Sequence, residues 1–344
     1  MHTEKKYKLK FLVGHLTFVV FINICILNWS CSSSENTNGI TVNKPLVKVG
    51  VMTWAGIGPA YVGVAKGFFE GIEVQLRLMD DTKARQAALA SDDISMMITT
   101  IDQHTRETEQ GLPGKLFLIS DVSSGADGIV VRNNIKSLKE LKGKRIAYTV
   151  GTASDYMLAK ALEKGGLTRD DVKLRSVDDP GLASAAFNSG QVDAAVSWEP
   201  LMSKIVSEGK GRILITSADL PGTIVGIFTA KDKVTNAPIG EKFLNGWFKA
   251  ISYIKSNPDE SNEIMAKGMS VSVDEIKGML EGLKLQDKSG NADFFCKNAD
   301  QKSLLESLLR DSSLFWKNSG SLKEIPVLEE RIAPESLKYF CSGN

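Results

Sequence analysis

The residues with chemical reach gather where apolar runs give way to helical ones. In TWAGIGPAYVGVAKGFFEG, Thr53 to Gly71, a Trp and two glycines stand between the run LVKVGVM and a helix-spaced segment opened by Pro59. Trp54 at the end of a strand can wall a small solute, while Gly56 and Gly58 let the backbone approach it. In TVGTASDYML, Thr152, Ala153 and Ser154 open a helix directly after a strand, and unpaired N–H groups at such a start favour an anion. In AAVSWEP, Glu199 follows a strand and can accept hydrogen bonds from an amine or amidine. Acids recur at other strand ends: Asp80 and Asp81, Asp102, Asp121, Asp127 and Asp178. Of these, Asp81, Asp102 and Asp127 complete the candidate ligand-binding set. Burying an anion among several carboxylates costs more than burying a cation, so the set tilts the ligand toward positive charge. Each feature has a plainer alternative: a packed aromatic for Trp54, helix capping for Thr152, Ser154 and Glu199, and rim loops for the aspartates.

Counting argues against several chemistries. The histidines are His2, His15 and His104, and the first two fall in an N-terminal targeting segment. One remaining His, with no Cys-x-x-Cys and no Cys/His cluster, argues against a His-based metal site and against a Ser-His-Asp triad. No cofactor and no catalytic residue is expected. The net charge of +1 divides into +3 for residues 1–30 (four Lys, one Glu) and 1 − 3 = −2 for the rest, which gives no case for nucleic acid. With 42% hydrophobic and 24% charged residues, the chain reads as a globular protein of two ordinary lobes.

From Leu46 the pattern alternates strand and helix. LVKVGVM, IEVQLRLM, ISMMITT and KLFLISD read as strands, separated by the helical stretches PAYVGVAKGFF, TKARQAALAS and IDQHTRETEQG. A second series begins near Asp127 with GADGIVVRN, a short SLKELKG helix, KRIAYTV, DYMLAKALEKGGL, VKLRSVD, PGLASAAFNSG, VDAAVSW, EPLMSKIVSEG and RILITS. TIVGIFTAKDKV then leads out, and the chain beyond Pro238 is mostly helical. Such alternation predicts largely parallel sheets. GADGIVVR would cross from one lobe to the other and TIVGIFTAKD would cross back. Ligands bind beyond the carboxyl ends of strands in open α/β sheets, here across a cleft able to close by a hinge.

The N-terminus carries KKYKLK followed by FLVGHLTFVVFINICIL, a basic and then an apolar region as in a secretory signal. It resembles a bacterial lipoprotein signal, since Cys31 follows a small residue and precedes SSSENTNG; a plain signal or an uncleaved anchor are the alternatives. Cys25 would leave with the signal. Cys296 and Cys341 then remain, either as a disulfide, which an oxidising compartment permits, or as two free thiols.

The stretch GVMTWAGIGPAYVGVAKGFFEGIEVQL resembles the first strand and helix of periplasmic solute-binding proteins of ABC transporters. The group is the nitrate/sulfonate/taurine family, which also holds thiamine-pyrimidine precursor binders. IKSLKELKGKRIAYTVGTASDYMLAKALEKGGL, AAFNSGQVDAAVSWEP and GIFTAKDKV support the likeness, which runs from about Val47 to Ala266. The resemblance implies the type II periplasmic-binding-protein fold, an α/β architecture of two lobes joined by two crossover strands. Its expected division is a signal at 1–30, a tether at 31–46, one lobe from 47–125 and 230–339, and another at 126–229. It further implies an exported monomer on a lipid anchor that captures a small ligand, sulfonate- or taurine-like, and delivers it to an ABC permease. A guanidinium or aminopyrimidine is the alternative ligand, and a small-molecule enzyme on the same fold the alternative class.

If Cys31 carries the lipid, Cys31→Ser releases the protein from membranes, because a diacylglycerol with an N-acyl chain exceeds the two signals that stable anchoring needs. Fractionation checks this; unchanged membrane association with the apolar segment still attached would identify an uncleaved anchor.

Overall fold

In the first strand, LVKVGV, alternation sends Val47, Val49 and Val51 into one apolar core. The computed structural model describes residues 44–236, 238–298 and 303–342; the expected signal and Cys31 lie outside them. The first series is β1 (Leu46–Val51), α1 (Gly58–Ala65), β2 (Glu73–Leu78), α2 (Thr82–Ala90), β3 (Met96–Thr100), α3 (Ile101–Glu109) and β4 (Lys115–Ser123). The second is β5 (Asp127–Val131), β6 (Arg145–Thr149), α4 (Ala153–Lys164), β7 (Lys173–Val177), α5 (Pro180–Asn188), β8 (Ala194–Trp198), α6 (Leu201–Ser207) and β9 (Arg212–Thr216). The chain continues through β10 (Val225–Ala230), α7 (Asp232–Thr235), α8 (Ile239–Ser256), α9 (Pro258–Met269) and α10 (Val273–Glu281). It ends with β11 (Leu283–Leu285), α11 (Lys288–Phe295), α12 (Leu304–Asn318) and α13 (Pro334–Cys341).

The strands form two sheets. The larger has the order β11-β4-β10-β3-β1-β2 and the smaller β7-β6-β8-β5-β9. β1 runs parallel to β2 and β3, and β6 parallel to β7 and β8. The strands adjoining the two passages between sheets depart from the parallel pattern: β10 is antiparallel to β3 and β4, and β5 to β8 and β9. A strand entering or leaving through a short passage meets its new neighbours head to tail, which a βαβ crossover avoids. SLKELKG, expected as a short helix, is one 3₁₀ turn at Leu138–Leu141.

Each sheet has its own core. The larger is covered by the C-terminal helices, with Phe117, Phe228, Phe243 and Trp247 packed together. The smaller is apolar on both faces, one lined by Ile129, Ile146 and Leu158, the other by Val130, Ala195 and Phe187. Two passages join them, residues 124–126 and 217–224. There the Ser123 and Ser217 hydroxyls lie 2.7 Å apart, and the Gly125 N–H donates to Ser217 Oγ at 2.7 Å. Gly125, at φ 132°, holds a conformation that side-chain-bearing residues rarely adopt.

Cys296 and Cys341 form a disulfide that ties the end of α11 to α13 across 45 residues of sequence. Closing a loop of that size removes unfolded-state entropy worth about 3 to 4.7 kcal/mol in the chain-entropy model. Reduction, or the double Cys→Ser variant, should therefore lower the chemical-denaturation midpoint, with the slope rising as the freed unfolded chain exposes more surface. An unchanged midpoint would show that this staple contributes no stability.

Candidate functional site

The carboxyl ends of β1, β2, β3 and β4 face the start of β5 and the carboxyl ends of β6, β7 and β8 across a cleft. From the larger sheet come Trp54, Asp80, Asp81, Arg85, Gln103 and Asp121; from the smaller come Asp127, Thr149, Thr152, Ala153, Asp178 and Trp198. The ligand set expected from the sequence divides accordingly. Trp54, Asp81, Asp127, Thr152 and Ala153 line the cleft, whereas Gly56, Asp102, Ser154 and Glu199 stand behind its walls.

Gly56 lies where it makes room for an acid. A Cβ there would fall 2.0 Å from Asp121 Oδ1, and a Cβ on Gly226, the register partner of Asp121, would fall 2.4 Å from the same atom. The Asp121 carboxyl thus sits between two glycines, fully buried. It accepts hydrogen bonds from the Trp54 indole N–H, 3.3 Å from each oxygen, and from the Ser120 hydroxyl at 2.8 Å. These donors are neutral, and burial raises the Asp121 pKa to about 6 despite them. Trp54 therefore has its ring at the cleft and its polar edge committed to Asp121.

Asp127 opens β5 directly opposite Trp198 of β8, so the two side chains share one face of the smaller sheet. Asp127 is 8% exposed, and its Oδ2 has no hydrogen-bond partner among the described residues. Burial, with the carboxyls of Asp121, Asp102 and Glu199 adding repulsion, lifts its pKa to about 7. Thr149, at the end of β6, also lines the cleft, and its buried hydroxyl has no hydrogen-bond partner among the described residues.

The start of α4 is differently disposed. Thr152 accepts from the Ser154 N–H at 3.3 Å, and Ser154 turns inward to the Thr149 N–H at 3.2 Å. The Ala153 N–H donates across the cleft to Gln103 Oε1 at 3.2 Å, so a side chain of the larger sheet's half occupies the helix start. Tyr156 of α4 packs on Phe315 of α12 beside this contact, with ring centroids 5.0 Å apart. The single cleft-lining arginine among the described residues, Arg85, donates to the carbonyls of Met79 and Asp80 and to the Thr82 hydroxyl.

Asp81 caps α2 through the Ala84 N–H at 2.7 Å, and Glu199 caps α6 through the Ser203 N–H at 3.1 Å. Asp102 is buried at the start of α3, where desolvation raises its pKa to about 7. His104, also in α3, donates from Nε2 to the Arg331 carbonyl 3.2 Å away; burial lowers its pKa to about 4 and keeps it neutral. Gln103, Thr149, Trp198 and Asp179 are cleft residues that sequence reasoning did not select. The signal for Trp198 lay in plain view, as the last residue of a strand before a helix start.

Residues 54–261 match the family described as NMT1/THI5 like. The taurine-binding periplasmic protein of Escherichia coli strain K12 is 28% identical over 174 residues, 50% of this chain and 54% of that protein. The chain thus spans about half the length of the curated relatives it matches in this way. Among solved structures, the periplasmic aliphatic sulphonate binding protein of Escherichia coli has a TM-score of 0.70 at 20% identity, covering 83% of this chain and 91% of that one. The desulfurization enzyme DSZB has a TM-score of 0.63 at 16% identity, covering 87% of this chain and 99% of that one. The likeness establishes the fold as that of periplasmic binding proteins, which also carries enzymes. The chain belongs to the NMT1/THI5-like family.

The Asp127 pKa has a consequence for stability. Its folded value, about 7, lies above its ordinary 3.8, so the folded protein holds a proton that the unfolded chain releases between these values. Its contribution to stability is fully present below pH 4 and is lost as pH rises through 7. Asp127→Asn should therefore melt higher than the parent at pH 8 and converge with it near pH 4. Equal melting at pH 8 would remove the inferred strain.

Proposed function

We propose that the chain captures a small solute in the cleft between its two sheets and delivers it to the permease of an ABC transporter. In this reading the two sheets are the cores of two lobes; β10 (Val225–Ala230) lies in the larger sheet, so the lobes are 47–125 with about 225–339, and 126 to about 224, the return coming a few residues before the expected 230. The lobes close about the passages at 124–126 and 217–224. The protein acts outside the cytoplasm, tethered through Cys31, as a monomer and without turnover of its ligand. Among the described residues no helix is long and apolar enough to cross a membrane.

The observation that supports capture is the convergence of strand ends from both sheets on one cleft, with Trp54 and Trp198 beside polar groups. A small ligand needs apolar walls with a few placed polar groups, and this cleft supplies both. The names of the E. coli relatives favour a taurine-like sulfonate. A zwitterion of that kind suits the chemistry: its sulfonate can take the α4 start by replacing Gln103 Oε1, while its ammonium faces carboxyls.

A ligand at 100 times its dissociation constant stabilises the folded protein by about 2.7 kcal/mol. Thermal melts with taurine, alkanesulfonates, nitrate, amidines and aminopyrimidines should show one class that raises the melting temperature. Trp54→Ala should weaken that ligand at least ~10-fold, since it removes an aromatic wall and frees Asp121. A screen in which none of these solutes shifts the melt would refute solute capture.

A further inference from the structure

Asp121 and Asp127 lie on opposite sides of the first passage between sheets, one near the end of β4 and the other at the start of β5. Both line the cleft, and both are more than nine-tenths buried. Neither forms an ion pair among the described residues. Asp121 is satisfied by neutral donors alone. Asp127 Oδ2 has no partner at all among the described residues, nor has the buried hydroxyl of Thr149, a residue that lines the same cleft. A buried carboxyl with an unpartnered oxygen, on a residue that lines a cleft, is costly unless something completes it.

The surroundings specify what completes it. Asp102 from the start of α3 and Glu199 from the start of α6 add negative charge near Asp127. Asp80, Asp81 and Asp178 line the same cleft, and the guanidinium of Arg85 is turned to the Met79 and Asp80 carbonyls. Asp80, Asp81 and Asp178 are exposed, and Lys83 pairs with Asp178 at 3.2 Å, so the unrelieved charge crowding falls on the buried Asp121 and Asp127, where desolvation favours the protonated form.

We propose that Asp121 and Asp127 form one carboxyl pair that seats a protonated nitrogen of the ligand, and that the ligand's entry expels a proton to solvent. The inference rests on the cleft being the site of solute capture, and it specifies the ligand as an ammonium, guanidinium or amidinium compound. The exchange is balanced. The carboxyl O–H proton passes to bulk water, the nitrogen keeps its own protons, and one N–H donates to the freed Asp127 oxygen. Trp54 lies against the same seat, with its ring available to a cation and its indole N–H holding Asp121 in place.

The test is calorimetric titration of the full-length protein with taurine, agmatine and acetamidine, and with ethanesulfonate as a nitrogen-free control. Each is run in two buffers of different ionisation enthalpy. A nitrogen ligand should bind with release of up to one proton near pH 6.5. Its affinity should fall more than ~10-fold from pH 8 to pH 5.5, as a carboxyl of pKa near 7 requires. Asp127→Asn should lose both the proton release and at least ~10-fold in affinity at pH 8. Its folding is verified by the melt at the same pH. If ethanesulfonate binds as tightly as taurine, or if Asp127→Asn keeps the proton release, the carboxyl seat is wrong while solute capture stands. If no compound binds, capture and seat fall together.

Discussion

Two carboxyl groups held out of water on facing walls of one cleft are the constraint around which the rest is arranged. Keeping Asp121 buried requires glycine at 56 and at 226, because any Cβ there would collide with its oxygens. It also requires an indole N–H within reach, which fixes Trp54 at the end of β1. Keeping Asp127 buried requires that β5 start at the passage itself, with Trp198 opposite it in register. Both groups carry raised pKa values because desolvation outweighs the neutral donors offered to them. Stability is thereby given up at a place where an uncharged, packed side chain would serve folding better.

The two acids flank residues 124–126, about which relative movement of the sheets would occur in the proposed role. That passage is short and held by specific bonds: the paired hydroxyls of Ser123 and Ser217, the Gly125 N–H on Ser217, and the Ser124 N–H on the Gly282 carbonyl at 2.8 Å. A group seated between Asp121 and Asp127 would bridge the hinge at close range. At the cleft's other wall, Gln103 joins the larger sheet's half to the α4 start. An acceptor on a ligand would compete with that amide carbonyl rather than meet free N–H groups. The bond supplied by a ligand there is thus offset by one lost, which leaves the carboxyls as the stronger source of selectivity.

Much of the architecture was legible from periodicity. The alternating runs from LVKVGVM to RILITS fall on β1 to β9 and the helices between them, because half-buried strands and amphipathic helices leave their periods in the sequence. α11, α13 and the three-residue β11 carried too little pattern to stand out. The site was legible in part. Trp54 and Asp127 stood at strand ends and line the cleft, but Gly56 lies against Asp121 and is not among the cleft-lining residues. Glu199 resembled a ligand residue equally well, yet its carboxyl turns back to the Ser203 N–H, a local capping choice that residue type does not disclose. Gln103 was invisible for a different reason. α3 is a polar helix buried against α12, so its sequence, IDQHTRETE, reads as solvent-facing until the tertiary packing is known.

The central claim is that a cationic nitrogen completes the Asp121–Asp127 pair, and a crystal structure of the protein grown with a saturating amine ligand tests it most directly. The claim predicts the nitrogen within hydrogen-bond distance of an Asp127 carboxyl oxygen, beside the Trp54 ring. A ligand bound elsewhere, or bound in the cleft with its nitrogen turned away from both carboxyls, would contradict it.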